Sequence, residues 1–276
     1  LYYSKTEDGA GTLIGKTVNT DSLIRNLDLR ILTNGSKVYY TVESTKTRTW
    51  QEGSKTGIYC GSVNGSKAKL VKTITQKAGN GKIQLVSVYG GKLYYRVNYS
   101  VYGDYARRTP LYSLDLKTKK VKKVSGDFDS SYTYNSGGDR YLYGASFGKD
   151  GLRIFDCKKD KFIRTISTAS AQGSAIDGGR LYYLVTNGEK DYTKIYSASR
   201  SGAARKPVLE GLPYNTWIDV ISKDYICYRI NDGLDGHIYM TATGEDRKLD
   251  QMNYQNYIKE NPHGANIYTG SGVLRG

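Results

Sequence analysis

Cysteine, histidine, proline and long apolar runs are all scarce in this chain of 276 residues, and each scarcity excludes a class of protein. The three cysteines, Cys60, Cys157 and Cys227, stand far apart and without CxxC spacing. This pattern argues against a disulfide framework and a zinc site, so we expect three small buried side chains. No apolar stretch approaches the roughly 20 residues that a membrane-spanning helix needs. The disulfide-stabilised and helical membrane classes are therefore excluded.

Candidate catalytic and metal-binding residues are few. We interpret His237 and His263 as surface or turn residues, because neither has a second His, a Cys or a carboxylate at ligand spacing. Residues 231–236 lack the Glu that closes a calcium loop and are predicted to form a plain turn. Asp127 and Asp129 precede an expected innermost strand, but glycosidase chemistry needs a second carboxylate about 5–10 Å away. We predict no catalytic residue, no metal and no cofactor.

Tyrosine, glycine and positive charge are abundant. The chain has 27 Tyr against 4 Phe, and its 32 Gly fall singly or in pairs between apolar runs. This composition favours a sheet protein with many turns, since tyrosine suits strands and glycine suits tight turns. A formal net charge of +15 attracts polyanions such as nucleic acid, anionic lipid surfaces, acidic glycans or wall polymers. The alternative is a solubilising surface without a specific partner.

A hydrophobic-Tyr-Tyr strand recurs along the chain at intervals of 37 to 55 residues. Such a period is typical of repeat proteins. The copies are Leu1-Tyr2-Tyr3, Val38-Tyr39-Tyr40, Leu93-Tyr94-Tyr95, Tyr141-Leu142-Tyr143, Leu181-Tyr182-Tyr183, Tyr225-Ile226-Cys227-Tyr228 and, weaker, Ile267-Tyr268.

The surroundings of this strand repeat as well. A two-residue turn such as Asn34-Gly35 or Gly90-Gly91 precedes it, an apolar run lies upstream, and two further strands follow. Helix periodicity and helix caps are absent, so we expect no helix. Four-stranded antiparallel blades at this period predict an all-β β-propeller, with six blades preferred and seven the alternative. Residues 1–276 are expected to form one domain, whose first and last segments share a closing blade.

The pattern hydrophobic-Tyr-Tyr-Ser/Thr, followed by Ile-Tyr and a later Gly, resembles a known family. Residues 1–4, 38–41, 58–65, 93–95 and 195–202 carry it. The chain resembles the bacterial lipoprotein-receptor-like propeller domains of unassigned function (the DUF5050 type). More distantly it is similar to the YWTD propellers of animal lipoprotein receptors, although no repeat has their Trp-Thr-Asp. The bacterial resemblance implies an extracytoplasmic module without established catalytic residues, and it transfers no site.

Two long loops between second and third strands are the candidate ligand-binding segments, residues 43–55 and 98–109. Long loops in compact domains are often functional. Aromatic residues beside arginine suit stacking on sugar rings and holding acidic groups. The predicted ligand-binding residues are Arg48, Trp50, Tyr99, Tyr102, Tyr105, Arg107 and Arg108.

Three functional hypotheses follow from these features. The first is a non-catalytic extracytoplasmic binding module on a bacterial cell surface or secreted from the cell, with an anionic glycan, a wall polymer or a protein as ligand. The second is a carbohydrate-active enzyme with a central-channel site, and the third is a scaffold domain of a larger surface protein. Nucleic acid ranks below these, because no aromatic-interleaved basic strand is present. We expect a monomer. Since the sequence starts at Leu1, we interpret it as a processed or trimmed part of a longer protein.

Overall fold

The computed structural model describes most of the chain and shows a protein built almost entirely of antiparallel strands. The described residues are 2–3, 12–13, 32–44, 54–62, 68–76, 83–97, 109–126, 128, 139–146, 149–167, 169–187, 192–213, 216–230, 235–261 and 265–266. They fall into two compact units. The first comprises 1–128, 135–142 and 157–160, and the second comprises 129–134, 143–156 and 161–276.

The first unit contains a short strand pair and two complete four-stranded meanders. Each meander runs in strand order along the chain, with neighbouring strands antiparallel. The pair is β1 (Tyr2–Tyr3) and β2 (Thr12–Leu13); the first meander is β3 (Leu32–Asn34), β4 (Lys37–Ser44), β5 (Ser54–Ser62) and β6 (Lys69–Gln76); the second is β7 (Ile83–Tyr89), β8 (Lys92–Val97), β9 (Leu111–Asp115) and β10 (Val121–Ser125).

A third sheet has three strands among the described residues, in the order β11-β12-β13. The innermost strand predicted before β11 lies outside the described residues. Its strands are β11 (Tyr141–Ser146), β12 (Lys149–Asp156) and β13 (Lys161–Ile166).

The second unit contains two further meanders and a helix. The last sheet gains a fifth strand, β22, which pairs with the first strand of its meander, β18. The elements are β14 (Ala169–Asp177), β15 (Arg180–Asn187), β16 (Tyr192–Ser199) and β17 (Lys206–Pro213), then β18 (Trp217–Ile221), β19 (Tyr225–Ile230), β20 (Asp235–Met240), β21 (Asp246–Leu249), α1 (Gln251–Glu260) and β22 (Ala265–Asn266).

The turns before the repeated strand follow the prediction from the sequence. Gly90 and Gly91 have φ of 56° and 76°, and Gly178 and Gly179 have φ of 52° and 72°. Positive φ at both central residues gives the turn the twist of the strands that it joins, and only glycine adopts it without strain. The turns therefore fix the register of the first two strands.

A stacked aromatic pair joins the second and third strands in four sheets. The rings come from residues directly opposite in the register, with interplanar angles of 12° to 15°. Cross-strand aromatic pairs stabilise a sheet beyond the area that they bury. The pairs are Tyr40–Tyr59, Tyr95–Tyr112, Tyr183–Tyr196 and Tyr228–His237.

The repeated strand is buried on both faces. In β8, Leu93, Tyr94 and Tyr95 are consecutive and each is at most 2% exposed. Because successive side chains point to opposite faces, burial of consecutive residues means that both faces of the sheet are covered. The prediction that the Tyr-Tyr strand belongs to the blade core is confirmed.

Tyrosine hydroxyls from this strand donate to backbone carbonyls of the element that follows in the chain. Tyr94 Oη donates to Cys157 O at 3.1 Å, in the turn after β12. Tyr143 Oη donates to Arg200 O at 2.7 Å, in the turn after β16. Tyr225 Oη donates to Asn261 O at 2.6 Å, at the end of α1. The acceptor for Tyr94 and Tyr143 thus lies in the next sheet along the chain, and the acceptor for Tyr225 lies at the end of helix α1.

The expectation of an all-strand chain is wrong at α1. Asp250 caps this helix through its carboxylate, which accepts from Asn253 N at 2.9 Å, and Lys259 lies in the last turn. Tyr254 packs with Val220, Cys227 and Ile238, so the helix covers the face of the last sheet opposite the fourth sheet. Those contacts offset the weak helix propensity of a segment rich in Asn and Tyr.

Several predictions about the whole chain stay predictions. Ile267-Tyr268 lies outside the described residues, β22 pairs with β18, and β1 pairs with β2. The blade count, the shared closing blade and the single domain are therefore not established. In the part of the chain that is described, no helix combines the length and the hydropathy needed to cross a bilayer.

Replacing Gly236 by Ala is expected to lower the free energy of unfolding by about 1–3 kcal/mol, because a Cβ would lie 2.6 Å from Tyr254 Cδ2 and force α1 off the sheet. Gly126→Ala is the matched control, since a Cβ there meets nothing within 4 Å. Urea denaturation measures both variants; equal stabilities would contradict the packing of α1 described above.

Candidate functional site

A groove of about 290 Å³ lies in the first unit, between edge strand β6 and one face of the second meander. Enclosed pockets for small molecules occupy about 300–1,000 Å³, so this open groove suits a short stretch of an extended ligand. Its lining combines hydroxyl, amide and aromatic side chains with aliphatic ones: Thr73, Ile74, Thr75, Gln76, Tyr95, Val97, Tyr112 and Val121.

Two stacked tyrosines form the aromatic part of the groove. Tyr95 and Tyr112 are opposite in the register, and their ring centroids are 5.3 Å apart with an interplanar angle of 12°. Burial, with a further contribution from Tyr112, raises the pKa of Tyr95 above its usual range. Tyr95 therefore stays neutral and holds the orientation of Tyr112, which is only partly buried. Tyr112 is thus a preoriented ring facing the groove.

Two lysines lie on strand faces that also carry groove-lining residues. Lys123 is opposite Tyr112 in the register, so the two side chains share a face. Lys72 precedes Ile74 by two residues on β6 and shares its face. Lys122 points the other way, and its Nζ lies 3.3 Å from Asp160 Oδ2. The groove therefore combines an aromatic ring with positive charge.

The predicted ligand-binding residues all lie outside the described residues: Arg48, Trp50, Tyr99, Tyr102, Tyr105, Arg107 and Arg108. Strand β4 ends at Ser44 and strand β5 begins at Ser54. The connection between them is therefore shorter than the loop predicted at residues 43–55.

The strand ends that flank both loops meet the groove. Ser54, where the first loop ends, pairs with Gln76 of the groove lining. Val97, where the second loop begins, also lines the groove and donates its N–H to Pro110 O at 3.2 Å. The prediction that these two loops bind a ligand stays a prediction.

Arginine follows the repeated tyrosine in two sheets, which reasoning from the sequence missed. Arg96 is 2% exposed, and its Nε donates to Gln84 Oε1 at 2.5 Å. Arg229 donates from Nε and Nη2 to the two carboxylate oxygens of Asp219, at 2.6 and 2.7 Å. In both cases the partner lies on the innermost strand of the same sheet. The signal in the sequence is the Tyr-Arg dipeptide, although the partner is visible only from the register.

Tyr254 of α1 completes the Arg229–Asp219 pair. Its hydroxyl donates to Asp219 Oδ2 at 2.8 Å. Burial, and then the neighbouring Asp219 charge, raises the pKa of Tyr254 above its usual range, so the hydroxyl keeps its proton. The hydrogen bonds that Arg229 donates to Asp219 also raise the pKa of Arg229. Arg229 therefore keeps its charge, and the hydrogen bonds fix the pair in one orientation.

His237 is not the surface residue that the sequence indicated. Its side chain is 17% exposed, and its ring stacks on Tyr228 with centroids 4.9 Å apart. It occupies the third-strand position that Tyr59 and Tyr112 hold in their sheets. His237 thus serves as the aromatic member of a cross-strand pair.

Asp246 lies close to this pair. His237 Nδ1 is 3.4 Å from its Oδ2, and Tyr228 Oη donates to the same oxygen at 2.5 Å. His237 Nδ1 makes no hydrogen bond there despite the short distance. His237 belongs to β20 and Asp246 to β21, the third and fourth strands of their meander. The enzyme hypothesis requires such a His-carboxylate pair on innermost strands. Within the described residues, no group of three His, Cys, Asp or Glu could hold a metal ion.

Comparison with known proteins identifies the fold and no family. No family model matches the sequence, and no curated protein matches it. The β-propeller domain of the Trilobed protease from Pyrococcus furiosus is similar over 82% of this chain and 71% of that one, with 13% identity and a TM-score of 0.47. A post-proline cleaving enzyme from Rickettsia typhi is similar over 89% of this chain, with 12% identity and a TM-score of 0.52. This chain covers 39% of that enzyme.

The likeness concerns the fold alone. The four-stranded antiparallel meanders confirm the predicted fold class, an all-β chain built from blades of the β-propeller type. The peptide-cleaving activities named for the similar proteins belong to those proteins and are not assigned to this chain.

Cys227 offers a direct test of the Asp219–Tyr254 cluster. It is fully buried beside Tyr254, and burial, with a smaller effect of Asp219, raises the pKa of its thiol from 9.0 to about 12. Because the native state retains a proton that the unfolded state loses, this thiol contributes stability below pH 9 that is lost as the pH rises towards 12. We expect Cys227 to resist iodoacetamide at pH 8.5 and to react in Tyr254→Ala.

Mass spectrometry of each cysteine measures these rates. The partly buried Cys60 is the control within the same molecule, since it should react at similar rates in both proteins. If Cys227 reacted as fast as Cys60 in the unsubstituted chain, the packing of α1 on the last sheet would be wrong.

Proposed function

We propose that this chain is a non-catalytic binding module of an extracytoplasmic bacterial protein, and that its ligand is an anionic glycan or wall polymer. The observation that carries the proposal is the row Tyr95, Tyr112 and Lys123 across the second meander, at the groove beside β6. This row places a preoriented ring next to a cation.

Aromatic faces bind the apolar faces of sugar rings, and ammonium groups bind carboxylates or phosphates. The threonines and Gln76 of the groove add hydrogen-bonding groups that can exchange with sugar hydroxyls. The formal net charge of +15 favours an anionic ligand but does not locate it. Lys72 and Lys123 place two of these positive charges beside the groove, where they complement an anionic ligand. An anionic sugar chain lying along the groove satisfies all of these groups.

Two further considerations support the proposal. The predicted loop residues, Trp50 and Arg107 among them, belong to segments whose flanking strands end at the groove. The resemblance to bacterial lipoprotein-receptor-like propeller domains also favours an extracytoplasmic location. Among the described residues, no pair of carboxylates supports the hypothesis of a carbohydrate-active enzyme.

Single substitutions of Lys123 and Tyr112 test whether the ligand binds at the groove. Lys123→Gln is expected to weaken binding of polygalacturonate about two- to fivefold, because it removes one exposed cation that shares the face of Tyr112. Tyr112→Ala is expected to weaken it about three- to tenfold through loss of ring contact. Isothermal titration calorimetry at low salt measures both affinities.

Lys122→Gln is the matched control. It removes the same charge from the adjacent residue on the opposite face, and Asp160 retains Lys92 at 3.2 Å. Binding by this variant should equal that of the unsubstituted chain, and neutral dextran of the same length should not bind the groove. Equal losses in Lys122→Gln and Lys123→Gln would reduce the effect to overall charge and defeat the proposal.

The loop prediction is tested separately. A chain with Trp50, Tyr102 and Arg107 all replaced by Ala is expected to lose retention on purified Gram-positive cell walls, because stacking and cationic groups are removed together. Co-sedimentation measures retention, and circular dichroism confirms that the variant is folded. Undiminished retention of the folded variant would remove these loops from the binding surface.

A further inference from the structure

Trp217 is exposed at the start of β18. Its relative exposure is 42%, whereas Ile218, the next residue, is completely buried. A large indole left in water loses the stabilisation that its burial would provide, and such residues are enriched in binding surfaces. The exposed indole of Trp217 is therefore available for contact with a ligand.

Arg229 lies directly beside Trp217. The two residues are opposite in the register, so their side chains share the face of the sheet that also carries α1. The Arg229 side chain is 33% exposed and that of Asp219 is 26% exposed, so both remain accessible to a ligand. The row continues to Gly236, where Tyr254 covers the sheet in place of a side chain.

The polar groups beside the indole are charge-balanced and fixed. The guanidinium is held by two hydrogen bonds to Asp219, which accepts a third from Tyr254. One positive and one negative charge cancel at short range, so the site does not select anions. A bidentate pair still offers N–H donors and carboxylate acceptors at its exposed edge.

An aromatic face beside neutralised donors and acceptors is the arrangement that a sugar ring needs, since one sugar face is apolar and its rim carries hydroxyls. We propose that Trp217, Arg229 and Asp219 form a binding site for a neutral sugar ring. The site lies in the second unit and is independent of the proposed groove, whose residues are all in the first.

Titration with a panel of neutral tetrasaccharides (cellotetraose, maltotetraose and chitotetraose) tests this site. Trp50 and Trp217 are the two tryptophans of the chain, so a Trp50→Phe background makes Trp217 the sole indole reporter. We expect a saturable blue shift of its emission with at least one member. Calorimetry of the unsubstituted chain should give the same affinity, and Trp217→Ala should weaken it at least tenfold. Absence of binding by the whole panel at millimolar concentration would overturn the proposal.

A charge switch distinguishes this site from the groove. Asp219→Asn leaves the charge of Arg229 uncompensated. The variant is expected to bind the neutral tetrasaccharide at least fivefold more weakly. In a Lys123→Gln background, which weakens the groove, it is expected to bind tetragalacturonate more tightly than the chain with Asp219. Asp224→Asn is the matched control, because this acid is 67% exposed in the turn between β18 and β19 and should change neither affinity. If both Asp variants bound every probe equally, the pair would have no part in binding.

The two proposals fail in different experiments. Lys123→Gln should leave neutral sugar binding unchanged, and Trp217→Ala should leave polygalacturonate binding unchanged. Circular dichroism and the labelling rate of Cys227 verify that Asp219→Asn still holds α1 on its sheet. If Trp217→Ala reduced polygalacturonate binding and neutral binding equally, a separate neutral site would be ruled out.

Discussion

Burial of the second strand on both faces is the constraint from which the rest of this structure follows. Leu93, Tyr94 and Tyr95 are consecutive and inaccessible, so the sheet that contains them needs an apolar partner on each side. The stacked pair between second and third strands then sets which residues are opposite, and the tyrosine hydroxyl on the other face reaches the next element of the chain. Sheet packing, register and order along the chain thus depend on one short motif.

Helix α1 shows how the same constraint is met where no further sheet follows in the described chain. Val220, Cys227 and Ile238 would face water on the last sheet, and Tyr254 covers them. Gly236 permits this close approach, because any side chain there would overlap the Tyr254 ring. The helix resembles the capping elements of repeat proteins, which present a polar outer surface, and Gln251, Asn253 and Gln255 are indeed exposed.

Local features could be predicted from the sequence, and features that depend on register could not. Asn-Gly and Gly-Gly turns and the Tyr-Tyr strand are contiguous signals, so the strands and the blade class were predictable. The row Tyr95, Tyr112 and Lys123 joins residues from three strands, and its members share a face only through the observed pairing. His237 was interpreted as a surface or turn residue because it has no partner at ligand spacing in the sequence, and its ring partner Tyr228 is visible only from the register. The helix was missed although Asp250 could cap it, since its apolar residues are few.

The hydroxyl bonds of Tyr94, Tyr143 and Tyr225 all run forward along the chain, from each sheet to the element that comes after it. Each receiving group is a backbone carbonyl, which every residue type possesses, so the bond makes no demand on the identity of its partner. The receiving positions can therefore change residue type by mutation without loss of these bonds, whereas replacement of any of the three tyrosines by phenylalanine removes its bond.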